Sequence, residues 1–316
     1  METQMLAAAP DKKRRKPLRP EWILAIVAAG AAVLLAVVLL MSRAYFPENA
    51  SVPGEEDPEI LLHQQAEELP WPPLETYLEP TVPETEPENP TIPPERNPYD
   101  RYDFQYNRHN YLLLQNLKSY AGVDVSAFQG NIDWKKVKQS GIDFAMIRLG
   151  YRGYESGKLV EDDYAKTNLK NAKEAGLKIG AYFFSQALSI QETDQEIQFI
   201  RKILGDTKLD MPIVLDWEIP AATARTRNMD ARTLTDIQRH FCGQMRDQGY
   251  QPMIYFNWHQ SEHLYVLHEL ENYPFWLALY QDRMTYPWKV EMWQYTDKGK
   301  VPGIAGNVDL NVYMPD

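Results

Sequence analysis

The stretch Pro212-Ile-Val-Leu-Asp-Trp-Glu218 is an apolar run that ends in two carboxylates separated by one residue. A short apolar run of this kind is typical of a strand that is buried on both faces. Asp216 and Glu218 are two positions apart, so on a strand their side chains point to the same side. Because two neighbouring carboxylates do not both ionise freely, the pair predicts a protonated acid beside an anion.

Further apolar runs lie on both sides of this stretch, and together they give the order of a fold. The predicted strands are Ala121–Val125, Phe144–Leu149, Lys178–Phe184, Pro212–Leu215, Pro252–Phe256, Phe275–Leu279, Val290–Trp293 and Val308–Val312. Amphipathic segments lie between them at Trp134–Gln139, Asp162–Ala175, Ile190–Leu204 and Ala231–Gln248. Strands that alternate with helices over about 200 residues predict an α/β fold, an irregular (β/α) TIM-like barrel. The late connections are too short for full helices, which makes the barrel irregular there.

Polar and aromatic side chains follow the predicted strands, at the end where such barrels carry their active sites. Beside the proposed catalytic pair Asp216 and Glu218, the candidate substrate-binding residues are Asp124, Tyr182, Phe184, Trp217, Tyr255, Asn257, Trp276, Tyr280, Gln294 and Asp309. Flat rings stack on sugar faces and acids transfer protons, so this combination favours a carbohydrate substrate. Each ring taken alone fits the barrel core as well as it fits a sugar platform.

Five stretches taken together resemble glycoside hydrolase family 25, the lysozymes of the Chalaropsis type. They are GVDVSAFQGNIDW (Gly122–Trp134), FAMIRLGYR (Phe144–Arg152), GLKIGAYFF (Gly176–Phe184), PIVLDWE (Pro212–Glu218) and NVDLNVY (Asn307–Tyr313). The resemblance implies an N-acetylmuramidase that cleaves the β-1,4 bond between N-acetylmuramic acid and N-acetylglucosamine in peptidoglycan glycan strands. It implies no cofactor and no metal. By position, Glu218 matches the family's acid/base, Asp216 its paired carboxylate, and Asp124 and Asp309 the further acids of the cleft.

Two departures from the family pattern concern residues near this pair. The family often has Tyr-His after the third strand, where this chain has Phe183-Phe184, and some members have Asp at the position of Leu279. The position of the pair also bears on the chemical route, because a conventional retaining enzyme sets its nucleophile about 5–5.5 Å from the acid, across the scissile bond. Acids on one side favour a substrate-assisted route, in which Asp216 stabilises an oxazolinium formed by the 2-acetamido group.

The N-terminal third of the chain has a different texture. Residues 1–21 form a basic tail that contains Lys12–Lys16, and residues 22–42 contain an apolar run long enough for one transmembrane helix. Residues 43–118 are predicted to be an extracellular spacer rich in proline and glutamate, and residues 119–316 a monomeric catalytic domain. Within the spacer, Tyr99–Lys118 is aromatic and polar, and its sequence leaves open whether it packs on the domain. The basic tail predicts a cytoplasmic N-terminus and a single-pass protein of the cell membrane, in contact with the lipid bilayer. The rival interpretation is a cleaved signal peptide.

Other functions remain open at this point. His259, Glu262 and His263 match the short H-x-x-E-H pattern of a zinc metalloprotease. A non-catalytic cell-wall-binding module on the same fold and a β-N-acetylglucosaminidase are further alternatives. The net charge of −11 excludes nucleic acid as an expected partner. The single cysteine, Cys242, excludes an intramolecular disulfide and is predicted to be a buried apolar thiol.

Overall fold

The computed structural model describes residues 57–58, 95–100 and 102–315. In this part of the chain no helix is long and apolar enough to cross a bilayer. The predicted basic tail, the predicted transmembrane helix and most of the predicted spacer lie outside the described residues. The strands are β1 (Phe104–Tyr106), β2 (Leu112–Leu114), β3 (Tyr120–Val125), β4 (Phe144–Arg152), β5 (Leu159–Glu161), β6 (Lys178–Ser185), β7 (Ile213–Trp217), β8 (Pro252–Asn257), β9 (Phe275–Ala278), β10 (Met292–Gly299) and β11 (Val308–Tyr313).

Within residues 102–315, five α-helices lie between the strands, four of them close to the predicted amphipathic segments. They are α1 (Trp134–Gln139), α2 (Ala165–Glu174), α3 (Ile190–Leu204), α4 (Ala231–Asp247) and α5 (Trp258–His263). The boundaries follow from capping: Ser189 accepts a hydrogen bond from the backbone N–H of Glu192 at the start of α3. Gly205, with φ of 52°, ends the same helix.

Eight of the strands close into a barrel, as the apolar runs predict. The order around it is β3, β4, β6, β7, β8, β9, β10 and β11, which pairs again with β3. Neighbours from β3 through β10 run parallel, whereas β11 is antiparallel to both β10 and β3. The turn between β10 and β11 contains no helix, and a connection that short joins antiparallel strands. The predicted irregular α/β barrel is therefore confirmed, with one strand reversed.

Alternation along the strands separates two hydrophobic clusters. The cluster inside the barrel includes Phe144, Met146, Tyr182, Val214, Met253, Tyr255, Trp276 and Met292. The residues between them in sequence belong to a larger cluster that the helices cover, for example Ala145, Ile213 and Ile254. A side chain's position on its strand thus decides whether it points into the barrel or toward the helices.

A short hairpin before the barrel, β1 paired with β2, is part of the same core. The ring of Phe104 meets that of Trp293 edge-on at 5.1 Å, and the backbone N–H of Leu112 donates to the hydroxyl of Tyr295 at 3.2 Å. These residues fall within the range 43–118 that was predicted as spacer. The boundary at residue 118 therefore does not coincide with the edge of the packed unit, because aromatic residues in a polar stretch bury themselves against β10.

Candidate active site

Asp216 and Glu218 lie at the carboxyl end of β7. Val214 belongs to the cluster inside the barrel, and Asp216, two residues later, has the same orientation and is 7% exposed. Glu218 follows the strand and is half-buried. The amide of Gln186 donates to the backbone carbonyl of Glu218 at 2.6 Å and holds this part of the chain against β6. The pair thus combines a buried acid with one nearer the solvent.

Asp124 lies on the same rim and is held by two amide side chains. Gln294 Nε2 and Asn311 Nδ2 both donate to Asp124 Oδ2, at 2.9 Å and 2.7 Å. Trp276 Nε1 donates to Asn311 Oδ1 at 2.8 Å and fixes which edge of that amide faces Asp124. A buried carboxylate with two amide donors is stabilised in its ionised form.

Asp309 joins this rim for a different reason than the sequence indicated. It was predicted at the end of a parallel strand, but it lies near the start of β11, which runs the other way. In the antiparallel register Asp309 is the direct partner of Asp124. The reversal of the strand therefore brings Asp309 to the same rim as Asp124.

Two buried tyrosines, Tyr255 and Tyr280, lie close to the carboxylates of this site. The hydroxyls of Tyr255 and Tyr280 both donate to Gln294 Oε1, at 3.2 Å and 3.1 Å. Burial raises the pKa of Tyr255 well above its ordinary value, and the charge of Glu218 raises it further. Burial likewise raises the pKa of Tyr280, followed by the charges of Asp309 and Glu218. Both phenols therefore stay protonated. The charges that act on them belong to acids on or directly after β3, β7 and β11, so these acids lie in one site.

The structure corrects the prediction for Trp217, which was expected to line the cleft. Its ring is fully buried in the cluster between barrel and helices, and Nε1 donates to the backbone carbonyl of Ala187 at 3.0 Å. The reason is alternation: Val214 and Asp216 face the barrel interior, so the next residue, Trp217, points outward. Trp276 does point inward, but its ring is 2% exposed and packs edge-on against Tyr255 at 5.0 Å. It forms the floor beneath the acids rather than an open platform.

The remaining predicted substrate-binding residues, Tyr182, Phe184 and Asn257, lie in three different environments. Tyr182 lies inside the barrel and is 3% exposed. Phe184 is the register partner of Asp216 and is buried against Tyr151. Asn257 caps α5, where its side-chain oxygen accepts from the backbone N–H of Gln260 at 3.0 Å.

Arg148 is a residue whose role the sequence did not reveal. Its Nε donates to Asp162 Oδ2 at 2.9 Å. Its terminal nitrogens bind the carboxylate of Asp57. A signal was present, because an arginine interrupts the otherwise apolar run Phe144–Leu149.

The histidine motif does not form a metal centre in the part of the chain described. The rings of His259 and His263 lie 4.6 Å apart, while Trp258 Nε1 donates to Glu262 Oε1 at 2.7 Å. Among the described residues, no three or more histidine, cysteine, aspartate or glutamate side chains are placed so that they could hold a metal ion. Cys242 is fully buried, and burial raises the pKa of its thiol.

Comparisons with known proteins identify the family and the fold. The family model "Glycosyl hydrolases family 25" matches residues 123–304, more than half of the chain. Lysozyme M1 of Streptomyces globisporus is 27% identical over 204 residues, 61% of this chain and 67% of that protein. The solved bacterial lysozyme of Streptomyces coelicolor superposes with a TM-score of 0.52 and 26% identity, covering 63% of this chain and 94% of that one.

A larger solved protein has the same fold. The modular autolysin LytC of Streptococcus pneumoniae superposes with a TM-score of 0.54 and 24% identity, covering 66% of this chain. The match covers 52% of the autolysin, so this chain spans about half of its length.

Proposed function

This chain belongs to the glycosyl hydrolases family 25 and is a glycoside hydrolase of the lysozyme type, and we propose that it cleaves the β-1,4 bond between N-acetylmuramic acid and N-acetylglucosamine in peptidoglycan. The observation that carries this proposal is the meeting of Asp216, Glu218, Asp124 and Asp309 at one barrel rim. Carboxylates in that arrangement suit glycosidic bond cleavage, since one acid protonates the leaving oxygen and another stabilises the cation that forms.

Glu218 is the proposed general acid/base. It is half-buried while Asp216 is buried, so Glu218 is the member of the pair that a glycan in the cleft reaches first. The neighbouring negative charge favours the protonated form of one member of the pair at neutral pH. In the first step Glu218 gives its proton to the glycosidic oxygen, and in the second it removes a proton from the attacking water.

Asp216 is proposed to stabilise the intermediate rather than attack the sugar. β7 ends at Trp217 and Glu218 directly follows it. The two-residue spacing favours side chains on the same side, whereas a nucleophile in a conventional retaining enzyme approaches from the opposite face of the sugar. The 2-acetamido oxygen then forms the bond to C1, and Asp216 balances the positive charge of the oxazolinium. A substrate with 2-hydroxyl in place of the acetamido group should react at least about 100-fold more slowly, and equal rates would exclude this route.

The reducing ends of the products test the proposed bond. Digestion of purified peptidoglycan by the full chain should release fragments that end in reducing N-acetylmuramic acid. Fragments that end in reducing N-acetylglucosamine would instead identify a β-N-acetylglucosaminidase. Binding to the glycan without any new reducing ends would identify a wall-binding module, and the proposed hydrolysis would then be wrong.

The proposed location is the outer face of the cell membrane, with the N-terminus in the cytoplasm. Support comes from the uncharged apolar run Ile23–Met41 directly after the basic cluster Lys12–Lys16. The residues between that run and the barrel strands are rich in proline and like charges, which favours an extended spacer.

A further inference from the structure

Arg148 brings a permanent positive charge into the barrel. On β4, Phe144 and Met146 point into the barrel, and Arg148 continues the same alternation opposite Tyr182 of β6. Its side chain is 1% exposed. A buried charge is tolerated only when nearby groups compensate it, so the partners of Arg148 indicate its role.

One edge of the guanidinium is fixed by the protein itself. Arg148 Nε donates to Asp162 Oδ2 at 2.9 Å, and the same oxygen accepts from the backbone N–H of Ala127 at 2.8 Å. The other oxygen of Asp162 accepts from the backbone N–H of Tyr164 at 2.8 Å. The ring of Tyr151 lies 5.3 Å from Arg148 Cζ. The guanidinium is therefore held in one orientation before any ligand arrives.

The opposite edge holds a carboxylate from a distant part of the chain. Nη1 donates to Asp57 Oδ1 at 2.7 Å, and Nη2 pairs with Asp57 Oδ2. Two parallel hydrogen bonds of this kind are the geometry in which arginine recognises carboxylates most strongly. Asp57 lies 91 residues before Arg148, in the range predicted as spacer, and its side chain is 16% exposed.

We propose that the terminal nitrogens of Arg148 form a carboxylate-binding subsite of the cleft, and that Asp57 fills it as an internal competitor until an anionic substrate displaces it. The inference rests on the proposed function, because peptidoglycan carries carboxylates on the lactyl ether of muramic acid and on its stem peptides. β4 and β7 are separated by β6, and Arg148 is level with Tyr182 and Val214, so its backbone lies roughly 12 Å from that of Asp216. The carboxylate of the substrate is therefore bound at some distance from the glycosidic bond that is cleaved.

Binding of a small acidic sugar tests the subsite without any need for hydrolysis. Asp57→Asn and Asp57→Ala in the full chain should bind N-acetylmuramic acid roughly tenfold more tightly than the unaltered chain, the gain expected when a competitor fills a site nine-tenths of the time. N-acetylmuramic acid methyl ester should show no such gain. Glu95→Gln removes an equal charge at an exposed ion pair with Lys289 and should leave the affinity unchanged. Equal affinities in all variants would overturn the inference.

Kinetics on two glycans then identify the source of the carboxylate. Peptide-free strands present the lactyl carboxylate, whereas strands with stem peptides present only peptide carboxylates. Asp57→Asn should lower KM for one of them and leave kcat unchanged, and strands with amidated carboxyl groups should show no gain. If KM falls equally on amidated strands, Asp57 does not compete as a carboxylate. Hydrolysis by the unaltered chain with no effect of Asp57→Asn on binding or KM refutes this inference alone, while absent hydrolysis with tighter sugar binding refutes only the proposed function.

Discussion

Asp124 shows how a single buried charge is kept in place at the residue scale. Its Oδ2 accepts from Gln294 and Asn311, and Gln294 in turn accepts from the hydroxyls of Tyr255 and Tyr280. The amide of Gln294 thus uses its nitrogen for the acid and its oxygen for the phenols. Leucine or methionine of similar size fills the space of Gln294 but provides neither bond.

Replacing Gln294 should therefore affect both activity and stability. Gln294→Met should lower kcat/KM about 10- to 100-fold, in line with about 1.5–3 kcal/mol for a lost hydrogen bond to a charged group. Its free energy of unfolding should fall by about 1–3 kcal/mol, because Asp124 and two phenols lose a partner. Gln251→Met, at an exposed position before β8, is the matched control. Unchanged kinetics in Gln294→Met would contradict this role.

Glu196 gives a prediction about pH. It is fully buried, accepts from Arg152 Nε at 2.7 Å and from Ser185 Oγ at 2.7 Å, and burial raises its pKa from 4.5 to about 7 against the opposing effect of Arg152. A raised pKa means that the folded state binds more protons than the unfolded chain between these two values. Stability from this group is therefore greatest at low pH and is lost as pH rises from 4.5 to about 7.

The measurement is a comparison of denaturant unfolding at several pH values. Relative to Glu196→Gln, the unaltered chain should lose at most about 3 kcal/mol of unfolding free energy across that window. Glu174→Gln, an exposed change on α2, keeps Glu196 and Arg152 and should retain the loss. Parallel pH profiles for the unaltered chain and Glu196→Gln would exclude the effect.

At the scale of elements, the hairpin β1–β2 decides where the packed unit begins. Phe104 is 5% exposed and contacts Trp293, whereas Tyr102, two residues earlier, is 68% exposed. Phe104→Ala should lower the unfolding free energy by about 3–5 kcal/mol, since a buried ring is lost from the core. Tyr102→Ala should change it by no more than about 0.5 kcal/mol. If both variants unfold alike, the hairpin contributes nothing to the core.

The elements also show which features the sequence could predict. Buried parallel strands appear as uninterrupted apolar runs such as Pro212–Leu215, so the positions of most barrel strands were predictable. The exception is β10, which covers Met292–Gly299 and overlaps the predicted run Val290–Trp293 by only two residues. An apolar run carries no information about its direction, and the reversal of β11 was not predicted. The hairpin was missed because its aromatic residues lie in a polar stretch without clear alternation.

In the candidate site too, local features were predictable from the sequence, whereas contacts between distant residues were not. Asp216 and Glu218 were predictable because their spacing and their place after an apolar run are local features. Alternation alone, applied strictly, would have placed Trp217 outside the cleft. The pairing of Arg148 with Asp57 was not predictable, since nothing in the local pattern of either residue names a partner 91 positions away.

At the scale of the whole molecule, a proposed membrane anchor precedes the barrel in the chain. Cell fractionation tests the anchor: the chain should remain with membranes after alkaline carbonate washing, and external protease should degrade the barrel in wall-free cells. An N-terminally shortened chain in the supernatant would instead identify a cleaved signal peptide. This outcome would change the location and leave the chemistry of the barrel untouched.

The rate of peptidoglycan hydrolysis by Glu218→Gln tests most directly whether Glu218 is the general acid. The substitution keeps the shape of the side chain but removes the proton that the leaving oxygen needs. The rate should fall at least about 100-fold, the lower range for loss of a general acid. Glu174→Gln should hydrolyse peptidoglycan at the rate of the unaltered chain, because Glu174 is exposed on α2. Hydrolysis by Glu218→Gln at the unaltered rate would contradict the account.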